Sequence, residues 1–236
     1  MEGEGAGENW GSVIDGYCER TGPEFWSEPV NALTNAAFLV AAFVMWRRTG
    51  GRLPLANLMI LLLALIGVGS FLFHTFATTW AALADVVPIG LFVLTYVFAA
   101  NLRFWRWSWW GAAFATLLFF PYAPLAFVGF SRLPFFAISA FYWPVALLIA
   151  LYGVALLGRA PRTGRGLLVG AAILSASLVA RSVDGAACGA WPVGTHFLWH
   201  LLNAAMLGWM IEVYRRHVEE GGGEEGGGLE APSGGR

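Results

Sequence analysis

Long apolar runs alternate with short polar clusters along the chain. A hydrocarbon core about 30 Å thick is crossed by about 20 helical residues. Seven stretches fit that length: Val30–Trp46, Pro54–Phe76, Trp80–Leu102, Trp107–Phe127, Pro134–Leu157, Gly166–Arg181 and Gly194–Tyr214. Pro121 and Pro124 interrupt the fourth, and the sixth is short. Trp46, Trp80, Trp105, Trp107, Trp209 and Tyr214 mark the ends, in the manner of interfacial aromatic belts. The runs lack the polar face that helices of a soluble bundle must keep. The pattern predicts an all-α integral membrane protein, a seven-transmembrane helix bundle. Residues 1–29 would be an extracytoplasmic N-terminal segment, 30–216 the bundle and 217–236 a disordered cytoplasmic tail.

Composition agrees, with 58% hydrophobic and 12% charged residues among 236, where a soluble domain carries about a quarter charged residues. The first 30 residues hold no apolar run of the signal-peptide kind. The net charge of −1 gives no footing for nucleic acid. There is no lysine, which excludes a retinal protein, since that chemistry needs a lysine Schiff base.

Arginine sets the orientation. With seven spans, Arg47, Arg48, Arg52, Arg103, Arg106, Arg159, Arg162, Arg165, Arg215 and Arg216 fall on the C-terminal side, against Arg20, Arg132 and Arg181 on the other. The positive-inside rule then puts the N-terminus outside and the C-terminus in the cytoplasm of a multi-pass protein of the cell membrane. Cys18 and Cys188 both fall outside, where a disulfide persists. They would either clip the N-terminal segment to the start of the seventh span or remain two thiols.

Ionisable groups inside spans are functional-site candidates. His74 ends the second span, Asp85 opens the third, and His196 and His200 lie in the first two turns of the seventh. The last two are spaced i,i+4 and share a helix face. All four sit at one depth on one side. Three neutral imidazoles and a water make a catalytic zinc sphere, and imidazole without thiolate favours Zn²⁺. Asp85 is then placed to serve that water as general base and acid. Ser70, four residues before His74, either stabilises an oxyanion or is a small residue for close helix packing. Asp15, Glu19, Glu24 and Glu28 form an acidic cluster before the first span, read either as a Ca²⁺ site or as a solvated loop.

Together the pieces resemble the alkaline ceramidase family, within the superfamily of membrane hydrolases that includes the adiponectin receptors. They are Asp15-Gly-Tyr-Cys-Glu19, Glu28-Pro-Val-Asn31-Ala-Leu-Thr-Asn35, Gly69-Ser70-Phe-Leu-Phe-His74-Thr75, Asp85 and His196-Phe-Leu-Trp199-His200. The resemblance implies zinc on His74, His196 and His200, catalysis by Ser70 and Asp85, and a Cys18–Cys188 disulfide. It also implies calcium on Asp15, Glu19 and Glu28, with Tyr17 and Thr21 as weaker ligands. Two departures from the eukaryotic pattern fall in the calcium segment: an extra residue separates Asp15 from Cys18, and an Asn is replaced near Thr21. The composition, rich in Ala, Gly and Arg, is that of a bacterial member. The function expected is zinc-dependent hydrolysis of ceramide or another N-acyl lipid to fatty acid and amine. The alternative is a receptor-like membrane protein with a structural zinc. A transporter would need polar residues continuing across the membrane, and the inner halves of spans two, three and seven are apolar.

Overall fold

The computed structural model describes residues 10–226, whose regular structure is helical apart from an isolated bridge between Val13 and Thr78. The helices are α1 (Pro29–Thr34), α2 (Ala36–Thr49), α3 (Pro54–Phe76), α4 (Thr79–Arg103), α5 (Trp109–Leu117), α6 (Phe119–Ser131), α7 (Pro134–Ala137), α8 (Trp143–Leu156), α9 (Pro161–Ala187) and α10 (His196–Gly226). Proline stands in the first turn of α1, α3, α7, α8 and α9, where its fixed φ suits the helix and its missing N–H has no partner to lose. Gly50, at φ 57°, closes α2 by donating to Trp46 O at 3.1 Å.

All seven apolar stretches are largely helical, but among the described residues five segments are both long and apolar enough to cross a membrane: Pro29–Thr49, Pro54–Phe76, Thr79–Arg103, Trp109–Ser131 and Pro161–Ala187. The fourth stretch is jointed at Leu118, three residues before Pro121. The fifth opens as the short α7 and a run of turns, leaving α8 with 14 residues. The sixth is longer than expected, because α9 continues six residues past Arg181. The seventh is long but carries His196, His200, Asn203 and Glu212. It also runs on to Gly226, into the segment expected to be disordered, while 227–236 and 1–9 lie outside the described residues.

α10 is the centre of the bundle and packs on α1, α2, α3, α4 and α9. α3 pairs with α4 and α2, and α9 pairs with α8. Met59, Leu63, Ile66, Leu178, Met210 and Ile211 are among the core residues. Phe43, Leu61, Phe114, Leu125 and Val154 instead face outward, and so much outward apolar surface suits lipid rather than water. α4 and α8 are not closely packed on each other. Between them, against α9 and α10, lies a cavity lined along α4 from Asp85 to Ala100.

Candidate metal centre

His74 stands in the last turn of α3, and His196 and His200 in the first two turns of α10. All three are buried, and their candidate ligand atoms lie within 4.8 Å of one another. The local fold fixes α10 through Asp184, a buried carboxylate on α9. Thr195 N–H and His196 N–H donate to its Oδ1 at 2.6 and 2.9 Å. Cys18 N–H donates to its Oδ2 at 3.1 Å. A carboxylate is favourable at a helix N-terminus, where free N–H groups point outward. Gly194, at φ 66°, makes the preceding turn, and a Cβ there would collide with Asp184. Cys18 and Cys188 are joined by a disulfide that ties the N-terminal segment to the end of α9, as expected.

Each outer histidine is held from behind by an oxygen. His74 Nδ1 lies 2.6 Å from Glu28 Oε2. Burial works against ionised Glu28, but hydrogen bonds from His74, Asn31 and Arg20 outweigh it and hold the carboxyl below its ordinary range. An ionised carboxylate only accepts, so Nδ1 of His74 carries the proton. His200 Nδ1 lies 2.9 Å from Thr34 Oγ1. The Thr34 hydroxyl has one proton, and carbonyls of Val30 and Asn31 at 2.8 and 3.0 Å to receive it. It therefore accepts from His200 Nδ1–H. In neutral imidazoles, the form that binds a metal, both Nε2 atoms are then lone pairs, 3.1 Å apart. Two acceptors aimed at each other cannot hydrogen-bond, and a cation satisfies both. Nδ1 of His196 is also buried without a hydrogen-bond partner. The three residues thus fit a metal ion, with the oxygen-held imidazoles usual behind such sites.

Ser70 on α3 and Asp85 on α4 come together close to His74. The contact depends on Gly69, where any Cβ would collide with the Ala84 carbonyl. Pro88 within α4 has no N–H for that same carbonyl, one turn back. Ser70 and Asp85 line the cavity, whose remaining wall is largely apolar and includes Phe92, Leu167, Leu174 and Met210.

Three aromatic groups and a guanidinium complete the polar end. Tyr17 stacks on His196 with centroids 3.7 Å apart. Burial raises its phenol pKa; the nearby Arg181 charge works against that rise, while Asp85 and Glu28 add to it. Arg181 lies over Tyr142 and Trp199, 5.4 and 5.8 Å from their centroids, and donates to Ile138 O at 2.9 Å.

The acidic residues expected to hold calcium do not assemble. Asp15 and Thr21 are exposed, and Tyr17 packs on a histidine instead. Glu19 accepts from Val30 N–H and Asn31 N–H at 2.7 and 2.8 Å, one oxygen each, and so caps α1 beyond its N-terminal proline. Glu28 is committed to His74, Asn31 and Arg20. Ca²⁺ takes six to eight oxygens at about 2.3–2.6 Å, whereas here Glu19 and Glu28 are engaged by donors of the protein itself. Among the described residues, the metal-competent group is the histidine trio.

The chain matches no protein-family model and no curated protein. Sequence reading missed Arg20, Asp184 and Arg181 as parts of this site. Asp184 had a usable signal: it stands three residues beyond Arg181, within one turn of a helix that does not stop there.

Proposed function

We propose that the chain is a zinc-dependent intramembrane lipid amide hydrolase of ceramidase type. In this reading it crosses the cell membrane seven times, with its N-terminus outside. The observation that carries it is the closeness of His74, one of the histidine trio, to Asp85, which with Ser70 lines an otherwise largely apolar cavity. A purely structural metal would need neither the pair nor the cavity. Two Zn–N bonds of about 2.0–2.1 Å at a tetrahedral angle place the nitrogens about 3.4 Å apart, close to the 3.1 Å between His74 and His200. Arg48, Arg215 and Arg216 gather on Glu212, 16 residues or about 24 Å along α10 from His196. That supports a cytoplasmic C-terminus.

Zinc, when bound, supplies a water whose pKa is lowered to about 7 and polarises the amide carbonyl. His74, His196 and His200 hold it, with His74 and His200 fixed in tautomer by Glu28 and Thr34. Asp85 takes a proton from the attacking water on its carboxylate and returns it to the leaving amine nitrogen. Ser70 Oγ donates to the carbonyl oxygen as negative charge develops there. The cavity wall shields the acyl chain from water. One water is consumed, the C–N bond breaks, and a fatty acid and an amine leave.

The test is release of fatty acid by purified protein from a panel of N-acyl lipids, ceramides included, with and without a zinc chelator. Chelator-sensitive release is expected from at least one. If metal-replete protein cleaves none, the receptor-like reading with a structural metal replaces this one.

A further inference from the structure

We infer that Arg20 is a built-in cation of the metal centre: its guanidinium takes the place that a bound calcium would hold beside Glu28, and through Glu28 it orients His74. The Arg20 Nε–H donates to Glu28 Oε1 at 2.5 Å. Its Nη1 donates to Gly22 O at 2.9 Å and its Nη2 to His74 O at 3.0 Å. The guanidinium is thus held by three oxygens: one carboxylate and two main-chain carbonyls. Oxygens of these types are what a hard cation seeks. The Arg20 and Glu28 side chains are only 1% and 3% exposed, far from the usual exposed ion pair.

Arg20 acts on His74 along two paths. Through Glu28 it sets the carboxylate that holds Nδ1, since the other carboxylate oxygen accepts from His74 at 2.6 Å and from Asn31 Nδ2 at 3.1 Å. Through Nη2 it grips the main chain of His74 itself. A buried carboxylate without a countercharge is costly, so Glu28 needs a fixed positive partner to keep this post. A second cation next to the guanidinium would be repelled.

Three consecutive residues therefore divide the fastening of the N-terminal segment. Cys18 is bridged to Cys188, Glu19 caps α1, and Arg20 braces the metal ligand. Arg20 is a positioning residue, because it reaches the metal only through Glu28 and His74.

The inference rests on a metal at the histidine trio and not on amide chemistry, so its test uses no lipid. Zinc affinity is measured by chelator competition on purified wild type, Arg20→Gln, Glu28→Gln and the double variant, with the disulfide checked by intact mass. Removing such an outer partner typically weakens metal binding about 10–100-fold, and that loss is expected for each single variant. The double variant is expected to lose less than the sum of the two single losses, because one of the two paths from Arg20 runs through Glu28. Calcium added to chelator-stripped wild type should change neither zinc affinity nor melting temperature. The inference is overturned by wild-type zinc affinity in Arg20→Gln, by additive losses in the double variant, or by a calcium-dependent rise in the wild-type melting temperature. If Arg20→Gln does not fold, the calcium titration of wild type still decides whether the cation place is already taken. Absence of zinc binding in wild type would remove the site itself.

Discussion

Glu28 and Glu212 are both buried carboxylates among arginines, and they are buried in different ways. Glu28 meets a guanidinium and an imidazole that are as enclosed as itself. Glu212 has a side chain 5% exposed, but Arg48 and Arg216, at 3.2 and 2.6 Å, are half in solvent, with Arg215 more enclosed. At the Glu212 end, three guanidiniums share one carboxylate, and water serves any that is displaced. At the Glu28 end each donor has a single acceptor position, and nothing replaces it. Two clusters of similar composition therefore do different work. One balances charge at a boundary, and the other sets the angle of a ring.

The sharpest break in the comparison is expected from His200→Ala, which should abolish stoichiometric zinc in purified protein measured by mass spectrometry. Full zinc content in that variant would end the case for a histidine centre. Asp85→Asn comes next: metal content should be unchanged while turnover on the best substrate falls about 10²–10⁴-fold, the range for loss of a general acid–base. Full activity would leave the centre standing and remove the proposed chemistry. Asp184→Ala leaves three main-chain N–H donors without their acceptor and should cost about 3–5 kcal/mol in unfolding free energy. A change below about 1 kcal/mol in detergent denaturation would show that the cap is dispensable. Smallest is Arg216→Ala, where an exposed member of a shared cluster should cost under about 1 kcal/mol. A larger loss there would erase the distinction between the two ends.

The apolar stretches were readable because a span imposes length and composition at once; Pro54–Phe76 has the same limits in sequence and structure. The i,i+4 pair His196 and His200 was readable for a similar reason, since helical spacing alone puts both rings on one face. The joint at Leu118 was half visible in Pro121 and Pro124. Arg20 was not readable. Its partners are Gly22 and Glu28 in an irregular segment and His74 on a distant helix, and no periodicity links such positions. On charge count it was one of three arginines on the sparse side. Asp184 was lost with a boundary: ending the sixth span at Arg181 turned a buried cap into a loop residue.

The cavity extends along a helix. Along α4 its wall runs from Asp85 to Ala100, 15 residues or about 22 Å of helix. On the reading proposed above, that distance works as a ruler. An acyl chain that is too long would meet Tyr152 or Met210, which line the same space, before its amide reached Asp85. A chain that is too short would leave the far end poorly filled. Chain-length preference would then be written in the side chains farthest from the metal. Ala100→Phe should move the optimum toward shorter lipids without touching a single residue of the catalytic end.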